Sequence, residues 1–258
     1  MTGAKAEMRE RDDEDLVIKL RDSLALSNYA QQDMLKDLQE YRKLLAAVFD
    51  NDRHREYMTF SKFLTTPYGQ DWERDGSLLL VLLGRNESGL NTDHSWLSPV
   101  AVDLIQNLLG SSEPVAYDCC AKSRTLEEVM SRLICQLLQA NPAVIRRPKD
   151  FQYIESQLTL KGDGSSRIVA LRAALSRIID RYERPVFIVL DRPELCGGSK
   201  AITVETLLSL LKDVKVELKI MMIQRGEFWD IEQRRNEIDI QGVDPNMLRI
   251  ARMDQYRL

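Results

Sequence analysis

The feature that most constrains this chain is a run of six consecutive apolar residues, LLLVLL, that stops at Gly84. The run covers residues 78–83 and is bounded by turn residues, with no alternation of apolar and polar positions. These properties predict a strand buried on both faces, as in a parallel sheet covered by helices on each side. A polar loop follows the strand, and a helical pattern begins near Trp96.

The loop after this strand has the frame of a phosphate-binding P-loop. Gly84 and Gly89 have the separation of the G-x-x-x-x-G pattern, whose backbone N–H groups cradle phosphate oxygens. The pattern continues with Lys and then Ser or Thr, whereas this chain has Leu90 and Asn91. The missing lysine removes a charge-assisted hydrogen bond, which weakens phosphate binding by about 1.5–3 kcal/mol. We therefore expect hydrolysis to be slow or absent.

Three further loop residues bear on phosphate and Mg²⁺ binding. Arg85 supplies a positive charge, although from a different place than the missing lysine. Asn91 stands where a hydroxyl would ligate Mg²⁺, and Thr92 could supply that hydroxyl only in a loop one residue longer than usual. Glu87 places a negative charge where phosphate would sit, which opposes binding.

Strand and helix patterns alternate along the rest of the chain. Further strands are predicted at residues 114–120, 185–191 and 218–224, with a short fifth strand at 238–240. Helices are predicted at residues 99–109, 126–139, 166–182 and 203–212. The last residues are charged, and we expect them to add no further core element. This alternation predicts an α/β fold with a parallel sheet between helices.

Polar residues follow two of these strands at the edge where ligands of such sheets bind. Asp191 ends the strand 185–191, and in P-loop proteins an acid at this place holds the Mg²⁺ that bridges the phosphates. Glu194 is a candidate catalytic residue that could polarise a water. Arg225 follows the strand 218–224 and could reach a terminal phosphate. The alternatives are a helix-capping or turn acid for Asp191 and a surface arginine at the sheet edge for Arg225.

Residues 13–50 contain neither Gly nor Pro and carry apolar residues at alternating spacings of three and four. This pattern predicts one long helix or a helical hairpin, with a break near Ser27. Two interpretations remain open: a coiled coil that sets the oligomeric state, and an amphipathic helix packed on its own domain. We assign residues 1–57 to a helical N-terminal segment and residues 58–258 to the P-loop-like domain.

Composition excludes several classes of function. The net charge of −4 gives no electrostatic case for nucleic acid or an anionic membrane. No apolar run approaches the roughly 20 residues that span a bilayer, and the polar N-terminus is not a secretory signal. The four cysteines match no zinc pattern, and Cys119 and Cys120 would point to opposite faces of a strand. We expect a cytoplasmic protein without membrane or nucleic-acid partners.

Taken together, these motifs resemble the fungal relatives of the STAND and NACHT-type P-loop NTPases, with an eroded phosphate-binding loop. The segments that carry the resemblance cover roughly residues 58–240 and read LLLVLLGRNESGLN, SWLSPVAVDLI, TLEEVMSRLICQLLQANP, FIVLDRPELC and KIMMIQRGEFWD. The resemblance implies a sheet in the order 5-1-4-3-2, with the strand at Leu218 between those at Leu78 and Pro185. It also implies that Asp191 binds Mg²⁺ and that Arg225 senses the terminal phosphate of ATP or GTP.

The leading functional hypothesis is a degenerate nucleotide-binding module that acts as a signalling or assembly switch, at most a slow ATPase or GTPase. Its cofactor would be Mg-ATP or Mg-GTP, and its partners would be proteins or further copies that bind through the N-terminal helix. The alternative is a nucleotide-free protein-interaction scaffold that keeps the P-loop fold. Leu90 and Asn91 favour the scaffold, whereas Asp191 and Arg225 favour the nucleotide-binding module.

Overall fold

The computed structural model describes residues 2–24, 26, 31–50, 57–84, 95–120, 124–160, 164–196, 200–225 and 247–256. Within these ranges the chain forms nine α-helices and five β-strands. The strands are β1 (Leu78–Gly84), β2 (Val115–Cys119), β3 (Val186–Asp191), β4 (Leu218–Arg225) and β5 (Leu248–Arg252). The helices are α1 (Thr2–Ser23), α2 (Gln31–Asp50), α3 (Phe60–Leu64), α4 (Pro67–Glu73), α5 (Ser98–Gly110), α6 (Leu126–Ala140), α7 (Pro148–Thr159), α8 (Gly164–Ile179) and α9 (Lys200–Asp213).

The five strands form one parallel sheet in the order β5-β1-β4-β3-β2. This is the expected order, 5-1-4-3-2, and β4 lies between β1 and β3 as predicted. Residues of β1 alternate between two apolar cores: Leu79 and Val81 belong to one, and Leu80 and Leu82 to the other. The continuous apolar run therefore reflects burial on both faces, and the chain has an α/β fold consistent with the P-loop NTPase-like class.

Strand β5 shows that one expectation about the end of the chain was wrong. Residues 248–252 pair along β1, and Ala251 is fully buried, so this segment does belong to the sheet. Its other residues are half-buried or exposed, and Arg252 is exposed. An edge strand has a neighbouring strand on one side only, so it tolerates charged residues. These residues interrupt the apolar pattern from which the other strands were predicted. The predicted strand at residues 238–240 lies outside the described residues.

Helix α6 begins as the sequence predicts. The Thr125 side chain accepts a hydrogen bond from the Glu128 N–H, and the Glu128 carboxylate accepts one from the Thr125 N–H. This reciprocal capping box satisfies N–H groups that have no partner within the helix.

The N-terminal helices pack on the sheet domain of the same chain. Six residues of the predicted apolar seam are buried: Val17, Leu20, Leu24, Met34, Leu38 and Leu45. Helix α1 joins the core on the side of α6 and α7, and its Asp13 forms a two-pronged ion pair with Arg146. Helix α2 joins the opposite core, on the side of α5. This is the packing expected for an amphipathic helix on its own domain; the domain boundary at residue 57 stays a prediction.

None of the helices within the described ranges has the length and apolar character needed to cross a membrane.

Candidate functional site

The carboxyl ends of β1, β3 and β4 bring three predicted site residues to one edge of the sheet. Gly84, the last residue of β1, lies opposite Arg225, the last residue of β4. Asp191 ends β3 and lies opposite Ile223 on the other side of β4. The parallel sheet thus assembles Gly84, Asp191 and Arg225 at the edge where ligands of such sheets bind.

Asp191 is an enclosed acid of this edge. It is 1% exposed, and each of its carboxylate oxygens accepts a hydrogen bond from a hydroxyl group. Tyr41 of α2 donates to Oδ2 at 2.5 Å, and Ser98 of α5 donates to Oδ1 at 3.1 Å. Two side chains from distant parts of the sequence therefore converge on the acid that was predicted to hold Mg²⁺.

Burial controls the protonation of this group. It raises the pKa of Asp191 to about 6, because the charged form loses its water. The hydroxyl of Tyr41, the charge of Arg192 and the hydroxyl of Ser98 act in the opposite direction and only partly offset the burial. Burial and the neighbouring Asp191 also raise the pKa of Tyr41 well above its ordinary value, so Tyr41 remains a hydrogen-bond donor.

Ser98 supplies a hydroxyl group in the first turn of α5, the described helix that follows β1, and this hydroxyl contacts the acid of β3. The described helix after β1 begins at Ser98, one residue before its predicted start at residue 99, and Leu97 is its N-cap. A hydroxyl in the first helical turn, bonded to the acid of β3, is the arrangement in which a P-loop Ser or Thr shares Mg²⁺ with that acid. Leu97, which is fully buried, precedes this hydroxyl and carries no charge.

Residue 84 must be glycine because the side chains of Trp96 and Leu97 lie close to the end of β1. A Cβ atom added at residue 84 would lie 2.5 Å from Nε1 of Trp96 and 2.8 Å from Cδ1 of Leu97. Contacts this short are not tolerated by real side chains, so only glycine fits beneath the indole ring. In this conformation the end of β1 is therefore covered by an aromatic side chain of its own chain.

The first N–H groups of α5 are already hydrogen-bonded. The Leu97 N–H donates to the Ser95 hydroxyl at 3.2 Å, and the Ser98 N–H donates to the Ser95 carbonyl at 2.9 Å. Pro99 has no N–H group, and the Val100 N–H donates to the Leu97 carbonyl at 2.9 Å. The helix start thus differs from an open anion-binding terminus, whose N–H groups point at the ligand.

Glu194 is held in a buried ion pair. Its Oε1 contacts Nε of Arg192 and accepts a hydrogen bond from the Arg225 N–H at 3.2 Å. Both charged side chains are at most 3% exposed. Arg192 has a left-handed backbone (φ 63°), and its N–H donates to the Ile223 carbonyl at 2.9 Å. A non-glycine residue in this region costs about 1–3 kcal/mol, so the surrounding contacts hold Arg192 in place.

Sequence reasoning missed three residues of the site: Tyr41, Ser98 and Arg192. Ser98 could have been found from the Ser-Pro pair at a helix start, had the loop been allowed more residues. No local signal marks Tyr41, because it reaches Asp191 only through the packing of α2. Four predicted nucleotide-binding residues, Arg85, Gly89, Asn91 and Thr92, lie outside the described residues.

The cysteines give no metal centre within the described ranges, where no group of three or more His, Cys, Asp or Glu side chains is placed to hold an ion. Cys119 packs in the core on the α5 side and Cys120 in the opposite core, as expected for neighbours at the end of a strand. All four cysteines are free thiols.

Comparison with known proteins adds little to this geometry. No protein-family model matches the chain. No curated protein matches it significantly. One similar solved structure is that of the Drosophila ORC bound to AT-rich DNA and Cdc6, with 14% sequence identity and a TM-score of 0.34. The likeness covers 93% of this chain but only 32% of the matched chain, so the chain spans about a third of it. A likeness this remote carries no argument, and the fold assignment rests on the strand order.

Proposed function

We propose that the chain is a degenerate nucleotide-binding module that acts as a signalling or assembly switch and hydrolyses nucleotide slowly or not at all. The observation that carries the proposal is the contact between the Ser98 hydroxyl and the Asp191 carboxylate. This pair lies where β1 leads into α5 and where β3 ends. P-loop proteins use the same pair of groups, at the same place in the fold, to hold Mg²⁺.

The donor atoms of this pair fit Mg²⁺. The ion prefers hard oxygen ligands and is usually held by one or two protein groups, with phosphate oxygens and water completing its octahedral shell. Ser98 and Asp191 would hold the ion, whose positive charge would offset part of the negative charge of the phosphates of ATP or GTP. Arg225, which ends β4 beside Gly84, is the candidate contact for the terminal phosphate.

Two features of the site would make hydrolysis slow. Leu97 cannot supply the positive charge that the P-loop lysine gives to the phosphates. Glu194, the candidate for orienting a water, is paired with Arg192 and bonded to the backbone of Arg225. A carboxylate held in this way is a poor acceptor for the proton of an attacking water.

A second candidate is a nucleotide-free interaction scaffold. It is favoured by the Tyr41 hydroxyl, which occupies Oδ2 of Asp191, and by Trp96, which covers Gly84. In this case the buried polar groups would serve only to fix the position of α2 on the sheet domain.

Calorimetric titration of Mg-ATP and Mg-GTP into the purified protein separates the two candidates. We expect weak binding to the wild type that is lost in Asp191→Ala and in Ser98→Ala. The matched control is Asp180→Ala, which removes an acid that follows α8 and caps the Lys215 N–H. Absence of binding at millimolar nucleotide, in folded wild-type protein and in every variant, would leave the scaffold.

A further inference from the structure

Helix α2 lies across the carboxyl ends of β2 and β3, and polar contacts attach it there. Tyr41 donates to Asp191 at 2.5 Å. Asp37 accepts a hydrogen bond from Nη2 of Arg132 on α6 at 3.0 Å. The hydroxyl of Tyr117, the middle residue of β2, donates to the carbonyl of Met34 at 3.3 Å.

We propose that α2 is a strap that closes this site, so that α2 in its present position and Mg-nucleotide exclude each other. The inference rests on the proposed function, because it assigns a regulator to the same site. The strap would explain how a ligand reaches the Asp191 carboxylate, which is only 1% exposed. The Ser98–Asp191 contact alone does not explain this access.

The exclusion follows from the space around Asp191. Mg²⁺ requires six oxygen ligands at about 2.0–2.1 Å, most of them water or phosphate. The Tyr41 hydroxyl already lies 2.5 Å from Oδ2, and the carboxylate has almost no contact with solvent. The ion and its shell can reach Asp191 only if the Tyr41 side chain leaves, and Tyr41 is carried by α2.

The packing of α2 suits a helix that can be released. Leu38 and Leu45 are buried in the core, but Leu35 and Leu44 of the same helix are 40% and 47% exposed. A groove of about 420 Å³ runs between α2 and the end of β2, lined by Tyr41, Leu44 and Cys119 among others. On this side α2 is held by the buried Met34 and Leu38 together with individual polar contacts, and an open groove lies beside them.

The ion pairs beside the groove set the position of the strap. Arg132 bridges Asp37 of α2 and the buried Asp118 at the end of β2, with 2.7 Å between its Nε and Oδ2 of Asp118. Arg124 makes a second contact with the same Asp118 at 2.5 Å. Asp118 keeps both arginines in place if α2 leaves, so the anchor is ready for the strap to return.

Tyr41→Phe combined with Asp37→Asn tests the strap without changing any proposed ligand of the ion. Hydrogen–deuterium exchange in the absence of nucleotide should become faster in α2 and at the end of β3, while β1 and β4 stay protected. Mg-ATP should bind at least tenfold more tightly to this variant than to the wild type, because less of the protein is closed. Tyr153→Phe with Asp15→Asn is the matched control, since it changes the same residue types on exposed parts of α7 and α1.

Leu38→Lys is a second way to release α2, because it places a charge on the buried face of the helix. Faster exchange in α2 together with tighter Mg-ATP binding supports the strap. Faster exchange with the wild-type affinity would overturn the strap and leave the nucleotide site standing. Unchanged exchange of α2 in both release variants would also overturn it. Faster exchange without binding in any protein would overturn both the strap and the proposed function.

Discussion

Replacing Asp191 with asparagine should stabilise the protein at neutral pH. The carboxylate is 1% exposed, and burial raises its pKa from an ordinary 3.8 to about 6. Above pH 6 the folded protein therefore carries a buried negative charge that the unfolded chain would expose to water. Asparagine has nearly the same shape and no charge. Its oxygen can accept from Tyr41, and its amide group can donate to the oxygen of Ser98.

The size of the effect follows from the pKa. One pKa unit corresponds to about 1.36 kcal/mol, so a rise from 3.8 to about 6 corresponds to about 3 kcal/mol. Because the folded-state pKa is raised, the wild type gains stability from protonation of Asp191 below pH 4. It loses that gain as the pH rises to about 6. The free energy of unfolding of Asp191→Asn should equal that of the wild type near pH 4 and exceed it by up to about 3 kcal/mol at pH 7.5.

Urea unfolding followed by circular dichroism, from pH 4 to pH 8 without nucleotide or Mg²⁺, measures this difference. Subtracting the two proteins at each pH removes the contribution of all other acids. Asp118→Asn is the contrasting variant, because it removes the charge that Arg124 and Arg132 contact, and it should lower stability by about 1.5–3 kcal/mol. The reasoning would be refuted if the difference in the free energy of unfolding between Asp191→Asn and wild type did not vary with pH. It would also be refuted if Asp191→Asn were less stable than wild type at pH 7.5.

Three further substitutions test other contacts of the site. Gly84→Ala should destabilise the fold by about 1–3 kcal/mol, because the new Cβ meets the indole of Trp96; Trp96→Leu in the same protein should recover part of this in thermal unfolding. Tyr41→Phe should lower the free energy of unfolding, measured in urea, by about 1–3 kcal/mol at pH 7.5, because the buried, charged Asp191 carboxylate loses a hydrogen-bond donor. The loss should be smaller at pH 4, where Asp191 is protonated. Arg192→Ala should lower the free energy of unfolding by about 3–5 kcal/mol, because it leaves the Glu194 carboxylate buried without its ion-pair partner. Adding Glu194→Gln to this variant should restore a large part of the loss. Equal stability of Arg192→Ala and of the double variant would contradict the ion pair.

The central part of the fold could be predicted from the sequence because its strands are buried on both faces. Four runs of apolar residues predicted β1 to β4 to within a residue or two at either end. Their order came from the resemblance to a known family, since alternation alone does not fix which strands are neighbours. Strand β5 escaped notice because it is an edge strand with exposed charges.

The sequence placed candidate residues at this edge of the sheet only where a residue ends a strand. Asp191 and Arg225 are such residues, and the parallel sheet brings them to one edge whatever the loops do. Ser98 and Tyr41 depend on loop length and on the packing of α2, and neither is encoded by a local pattern. Counting along the G-x-x-x-x-G motif led to Asn91, which stays a prediction because it lies outside the described residues.

The position of β1 in the sheet has a consequence for synthesis of the chain. Its pairing partners are β4 and β5, and Leu78 faces Lys219, which is made much later. At a translation rate of roughly 5–20 residues per second, the strand emerges about 7 to 28 seconds before β4 is available. During this time a fully apolar six-residue run has no strand beside it, which makes it a site for misassociation. The strand that organises the finished sheet is thus the one a nascent chain most needs to keep covered, by its own early helices or by a chaperone.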